Sequence, residues 1–218
     1  MRTLLRALLL GVLAMAMVAG AEPGWQTLTE KPFRIRVRPL PANPKVQEVW
    51  SEADLRAGVV DIQAALTDPN AYARFMPYVK ECRELLPPDA DGSRYTYTRL
   101  ALPVVQGRDY VLHVFVDMRV AADGSGSFKQ HWTSVPDRIP ARKGITRVSV
   151  NQGSWTVTPN ADGSSHAIYQ FAVDPGGSVP SIFTDLGNRG ATEDTLRAVE
   201  REAQARAKAR QLRSAGAK

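Results

Sequence analysis

The histidines and the single cysteine are the side chains of this sequence that most often bind metals or act as nucleophiles. His113, His131 and His166 fall in three separate predicted strands, with no pair four residues apart and no cysteine beside them. Zinc ligands usually cluster at short spacings, so the pattern does not predict a zinc site. The one cysteine, Cys82, cannot form an intramolecular disulfide, and we interpret it as a strand residue.

The sequence also lacks two common catalytic motifs. No Gly-x-Ser-x-Gly segment occurs, so a serine hydrolase is not indicated. The segment "DGSGS" at 123–127 lies between two predicted strands and has too few glycines for a phosphate-binding loop. We therefore predict no catalytic residue, no metal and no cofactor.

The formal net charge is +6, with 28 basic and 22 acidic side chains. A nucleic-acid-binding surface usually appears as a basic stripe interleaved with aromatic residues, whereas the basic residues here are dispersed. We therefore expect no nucleic-acid partner. A transient contact with an anionic membrane surface stays open, and a monomer is expected.

Residues 1–21 have the pattern of a secretory signal peptide. Two arginines near the start precede an apolar run at 7–18, and the small residues of 19–21 form a cleavage site. The apolar run is shorter than the ~20 residues that a membrane span needs. We therefore predict export to the periplasm or the medium, a mature domain at 22–205 and a basic, frayed tail at 206–218.

The mature chain reads mainly as strands at hairpin spacing, which favours an antiparallel sheet. Strands are predicted at 33–38, 45–50, 78–86, 94–102, 109–120, 128–134, 145–158 and 165–173, and short helices at 59–67 and 69–75. The strand at 109–120 has the clearest alternation and places Leu112 and Val114 on its apolar face. Gly153 shifts the apolar register within its strand and is interpreted as a bulge.

After Pro180 the pattern changes to that of one long helix. An apolar stripe begins with Ile182, Phe183 and Leu186, and such a stripe must be buried against the sheet. The predicted fold class is therefore α+β, with a curved antiparallel sheet wrapped around a long C-terminal helix. A sheet curved around a helix leaves room for an internal apolar cavity between them.

Four segments resemble the StAR-related lipid-transfer (START) domains in their order and spacing. They are "PVVQGRDYV" at 103–111, "VPDRIPARKGITRV" at 135–148, "GSWTVTP" at 153–159 and "DPGGSVP" at 174–180. The resemblance extends over roughly residues 25–201. It implies a helix-grip fold whose tunnel holds one apolar molecule, such as a sterol, a phospholipid or a fatty acyl compound.

The resemblance also assigns roles to individual residues. It implies that the final helix and the loop Ser134–Gly144 form a gate. The gate residues of that loop are Pro136, Ile139, Pro140 and Arg142. It further implies that Arg108 and Asp109 are a structural pair at the start of the central strand.

Steroid-binding members of the family often bury an acidic–basic pair in the tunnel. An approximate alignment places Arg99 at the acidic position and Val114 at the basic one. The polar end of this tunnel is therefore expected to be built differently, and a cholesterol-like ligand is not assumed.

The main alternative is an enzyme of the polyketide cyclase/aromatase type, which uses the same kind of cavity. Tyr97, Arg99 and Trp132 would project into the tunnel if strand alternation turns those faces inward. Export disfavours this alternative, since acyl-carrier-bound substrates are cytoplasmic. A third possibility, an adaptor that binds a partner protein through "FRIRVR" at 33–38, rests only on the charge of that strand.

The interpretation that the residues and the resemblance favour together is a non-enzymatic carrier or sensor of a hydrophobic small molecule or lipid. Its predicted ligand cavity consists of Tyr97, Arg99, Leu112, Val114, Trp132, Ile182, Phe183 and Leu186.

Overall fold

The structure is a computed structural model that describes residues 24–85, 87–102, 106–177 and 182–216. For residues 182–188 it describes the backbone of a helix and not the side chains. The predicted signal peptide, residues 1–21, lies outside the described residues.

The described chain forms ten strands and three helices. The strands are β1 (Gln26–Thr29), β2 (Arg34–Leu40), β3 (Asn43–Leu55), β4 (Val79–Glu84), β5 (Arg94–Leu100), β6 (Arg108–Met118), β7 (Phe128–Ser134), β8 (Thr146–Arg147), β9 (Val150–Pro159) and β10 (Ser165–Asp174). The helices are α1 (Val59–Leu66), α2 (Tyr72–Phe75) and α3 (Ile182–Gly216), with short 3-10 helices at Pro69–Ala71 and Pro136–Arg138.

The strands form one sheet in the order β1-β2-β3-β10-β9-β7-β6-β5-β4. Every neighbouring pair along this path is antiparallel, and the short β8 pairs in parallel with β6. Alternation sets the two faces, as in β2, where Ile35 and Val37 are buried while Arg36 lies outside against the Trp50 ring at 4.1 Å.

Helix α3 packs its middle turns into the core beneath the sheet. Leu196, Val199 and Ala203 belong to one apolar cluster with Ile62 and Leu66 of α1. Across the described ranges, no helix is both long enough and apolar enough to cross a membrane. The predicted α+β fold, a curved antiparallel sheet with a long C-terminal helix, is confirmed.

The C-terminal part of α3 differs from the frayed tail predicted for 206–218. The helix continues to Gly216, because arginines on one side of it bind Asp61 of α1 and Asp68, which follows α1. Arg206 donates to Asp68 at 2.8 Å, and Arg210 donates to the buried Asp61 at 2.7 Å. These ion pairs hold a segment that has almost no large apolar side chain.

Gly153 does not mark a bulge, contrary to the sequence interpretation. Its strand pairs with β7 and with β10 in unbroken register, opposite Trp132 and Phe171. A Cβ atom at this position would lie 2.4 Å from the carbonyl oxygen of Gln170 and 2.5 Å from the Trp132 ring. Glycine is required here because the indole of Trp132 crosses directly over the backbone of β9.

Candidate ligand-binding cavity

A cavity of about 320 Å³ lies between the concave face of the sheet and the helices. Its walls come from β5, β6, β7, β9 and β10, from the α1–α2 region, and from Ala191, Thr192 and Thr195 of α3. The lining is mostly apolar, and its aliphatic members include Leu66, Leu100, Leu112, Val114, Val116 and Val173. The volume and the apolar walls are those of a site for a small hydrophobic ligand.

Aromatic rings form one continuous wall of the cavity. Tyr169 stacks on Trp155 at 4.2 Å and on Phe171 at 4.7 Å between ring centroids. Trp132 follows on the neighbouring strand and donates its indole N–H to Oδ1 of Asn151 at 2.9 Å. This hydrogen bond satisfies the polar edge of the indole, so that its apolar face is presented to the cavity.

Three tyrosine hydroxyls enter this apolar space from different elements. Tyr72 of α2 donates to the carbonyl oxygen of Leu66 at 2.6 Å, and Tyr110 of β6 is hydrogen-bonded to Thr98. Burial raises the pKa of each of Tyr72, Tyr110 and Tyr169 above the ordinary tyrosine value. The neighbouring Cys82 raises the pKa of Tyr72 and of Tyr110 further, and Tyr110 raises that of Tyr169. All three are therefore neutral hydrogen-bonding groups.

Two arginines lie at different levels of the cavity lining. Arg94 donates to the carbonyl oxygen of Thr67 at 3.1 Å and lies 3.7 Å from Glu84. The buried Arg108 donates to the carbonyl oxygens of Gln106, Pro175 and Gly176. Val116 lies eight residues after Arg108 on β6, so the lined part of this strand is about 26 Å long.

Three of the predicted cavity residues, Leu112, Val114 and Trp132, are part of the lining. Ile182 and Phe183 belong to the first turns of α3, as does Leu186, but their side chains lie outside the described part of the protein.

Tyr97 and Arg99 do not line the cavity, so this part of the prediction is wrong. The inward positions of β5 are Arg94, Thr96 and Thr98, and strand alternation turns Tyr97 and Arg99 to the convex face. Tyr97 is fully buried there because its hydroxyl binds Asp109 at 3.2 Å beneath a covering loop.

The loop Ser134–Gly144 packs on this convex face of the sheet, and its role as a gate stays a prediction. Arg147 binds the carbonyl oxygens of Pro136, Ile139 and Pro140 and fixes the loop. At the far end of the loop, Arg142 binds Glu81 at 2.8 Å and lies 4.7 Å over the Tyr97 ring. The contact with Arg142 lowers the pKa of the Glu81 carboxyl.

Arg108 and Asp109 have structural partners, but they do not pair with each other. Successive residues of a strand point to opposite faces, so Arg108 faces the cavity and Asp109 the covered convex side. Asp109 is fully buried and binds Arg147 through two contacts, of 2.7 and 3.2 Å.

The sequence interpretation missed several polar residues of the lining, among them Tyr72, Gln130 and Asn151. Gln130 had a detectable signal, since it lies two residues from Trp132 in a strand of strict alternation. Tyr72 had no such signal, because only the packing of α2 brings it to the cavity.

The histidines lie outside the cavity, as their strand positions suggested. His131 binds Asp117 at 2.9 Å, His166 lies 3.1 Å from Asp54, and His113 is hydrogen-bonded to Ser93. Within the described ranges, no group of three or more histidine, cysteine or acidic side chains is placed to bind a metal.

Cys82 lies beside the cavity lining, next to Thr98, and should react slowly in the folded protein. It is buried, its sulphur lies 3.1 Å from Oγ1 of Thr98, and burial raises the pKa of the thiol to about 11. Since the thiolate is the nucleophile, alkylation by iodoacetamide at pH 8 should be at least ~100-fold slower than in the denatured protein. Mass spectrometry of timed samples measures both rates, and equal rates would contradict the burial of this thiol.

Comparisons with known proteins agree with this geometry. No family model matches the chain. An uncharacterised protein of Pseudomonas aeruginosa is 31% identical over 154 residues, which cover 70% of this chain and 73% of that protein. A STAR-related lipid transfer protein fragment from Xanthomonas axonopodis has 29% identity and a TM-score of 0.70, with 83% of this chain and 99% of that one covered.

A human protein, StAR-related lipid transfer protein 5, shares the fold at 15% identity, with a TM-score of 0.72 and with 84% of this chain and 88% of that one covered. A curved sheet closed by a long helix around an apolar cavity defines a helix-grip protein. The chain has the fold of the StAR-related lipid-transfer (START) domains, and its 29% identity to the Xanthomonas protein of that class extends over 83% of the chain.

Proposed function

We propose that the protein binds a hydrophobic ligand, a lipid, sterol-like or fatty acyl compound, in the cavity and carries or senses it in the cell envelope. The observation that carries this proposal is the mostly apolar lining around a cavity of about 320 Å³. Each buried CH₂ group of a ligand contributes about 0.8 kcal/mol. A chain or ring system of moderate size is therefore held strongly by a cavity that offers few polar groups.

Binding without chemical conversion is the function that the site favours. Of the three residues that an enzymatic alternative would use, Tyr97 and Arg99 lie on the convex face and only Trp132 meets the cavity. The signal-peptide pattern of residues 1–21 supports export, and an exported carrier would exchange its ligand with a membrane. Tyr78 is suited to such a contact, because it lines the cavity, is 41% exposed and has a left-handed backbone with φ of 61°.

Replacing Val114 by arginine should lower the affinity for a fluorescent fatty acyl probe at least ~10-fold. The substitution places an unpaired charge in the apolar lining, where it disfavours the ligand. The measurement is a fluorescence titration of folded protein, with circular dichroism as the check on folding.

The matched control is Met118→Arg, which adds the same charge to the same strand at a side chain that is 49% exposed and outside the lining. Its affinity for the probe should equal that of the unmodified protein. Unchanged binding by folded Val114→Arg would mean that the ligand does not occupy this cavity.

A further inference from the structure

Gln130 is a buried amide that lines the cavity and has no hydrogen-bond partner among the described residues. It lies on β7 between Trp132 and Phe128, of which Phe128 is fully buried, and only 5% of Gln130 is exposed. In the described part of the chain, its side chain makes no hydrogen bond, and Gln130 is part of the cavity lining. A glutamine amide has two donor hydrogens and an acceptor oxygen, and buried polar groups of this kind normally have partners.

Tyr169 provides a second unpartnered group in the same row of the sheet. Gln130 is paired with Trp155, and Trp155 is paired with Tyr169, so all three lie side by side on adjacent strands. The Tyr169 ring stacks on Trp155 and so leans along this row. Its hydroxyl has no hydrogen-bond partner among the residues that the structure describes, and burial keeps it protonated.

The charged groups of the lining are already engaged. Arg94 lies near Glu84 and binds a carbonyl oxygen, and Arg108 binds three carbonyl oxygens about 26 Å along β6 from the level of Gln130. No aspartate or glutamate is found in the described lining. The hydrogen-bonding groups that are left for a ligand near Gln130 are therefore uncharged.

We propose that Gln130, with the Tyr169 hydroxyl, binds an uncharged oxygen of the ligand, either a carbonyl or a hydroxyl, in preference to a carboxylate or a phosphate. This inference rests on the proposed function of the cavity. An amide and a phenol each donate and accept hydrogen bonds, so they satisfy a neutral oxygen without requiring a counter-charge in an apolar site. A fully ionised group would instead lose its hydration without a free cation to replace it.

Four ligands with the same sixteen-carbon chain test the proposal: hexadecane, hexadecanol, methyl palmitate and palmitate. Each is titrated against protein loaded with the neutral dye Nile red, and the dissociation constant is taken from dye displacement. Hexadecanol, methyl palmitate or both should bind about ten-fold more tightly than hexadecane and than palmitate. Which of the two binds more tightly distinguishes a hydroxyl from a carbonyl as the preferred oxygen.

The Gln130→Leu variant should lose the preference for oxygen while its affinity for hexadecane stays the same. The matched control is Gln152→Leu on the exposed face of β9, which should behave as the unmodified protein. Without ligand, Gln130→Leu should melt at or above the temperature of the unmodified protein, since it removes an amide that has no partner.

Three results would overturn the proposal while lipid binding stands: tighter binding of palmitate, an oxygen preference that persists in Gln130→Leu, or a lower melting temperature of that variant. Failure of all four ligands to displace the dye would contradict the proposed function itself, and the assignment of Gln130 would fall with it.

Discussion

Asp109→Asn should destabilise the protein by about 3–5 kcal/mol, because it removes the counter-charge of the half-buried Arg147 from a fully buried site. Asp109 is fully buried and binds both Arg147 and the hydroxyl of Tyr97. Arg147 in turn holds the loop over the convex face through three carbonyl oxygens. Urea unfolding monitored by circular dichroism measures the loss of stability, which should exceed that of most single substitutions.

A double-mutant cycle separates the ion pair from the effect of the altered side chain. Arg147→Met should also be strongly destabilising, since it leaves the Asp109 carboxylate buried without a cation. The double variant Asp109→Asn/Arg147→Met should be less destabilised than the sum of the single variants, by about 2 kcal/mol. Additive losses would refute the pairing, and Glu30→Gln in the exposed pair with Arg34 should have almost no effect.

Gly153→Ala should destabilise the protein by about 3 kcal/mol, although it adds only one methyl group. That methyl would lie within 2.5 Å of a backbone oxygen and of the Trp132 ring, and the backbone oxygen cannot move without disturbing the pairing of β9 and β10. Overpacking of this kind usually costs about 1–3 kcal/mol, and the rigid neighbour places this site at the upper end. Displacement of the indole should also change the tryptophan fluorescence.

Gly190→Ala is the matched control, because a Cβ at Gly190 meets no atom within 4 Å and the residue lies in α3. Alanine in a helix is favoured over glycine by about 0.5–1 kcal/mol, so this variant should be more stable than the unmodified protein. Replacing glycine by alanine is thus predicted to lower the stability of the protein at position 153 and to raise it at position 190. A loss below ~1 kcal/mol for Gly153→Ala would show that Trp132 does not cross β9 as described.

Local sequence patterns predicted most of the fold because they depend on alternation along one strand. Strand β7 has the predicted bounds. The apolar face predicted for β6, its neighbour in the sheet, is the face that lines the cavity. The prediction failed on β5, where the outward residues Tyr95 and Tyr97 are aromatic and the inward Thr96 and Thr98 are polar. Hydrophobicity indicates the inner face of a strand only where the other face meets water.

Other features depended on contacts between distant parts of the chain. The position of the Ser134–Gly144 loop is set by Arg147, which reaches Asp109 through the two-residue parallel pairing of β8 with β6. Such a short non-local pairing leaves no periodic pattern in the sequence. The requirement for glycine at Gly153 likewise arises from the ring of Trp132 on the adjacent strand.

Native mass spectrometry of the protein purified from its host shows whether the cavity holds a hydrophobic ligand. We expect a discrete extra mass on the folded protein that is released as a lipid when the protein is denatured. The mass of the released compound would also show whether it contains the uncharged oxygen that Gln130 is proposed to bind. A folded protein that has no extra mass and takes up no member of a lipid panel would contradict this expectation.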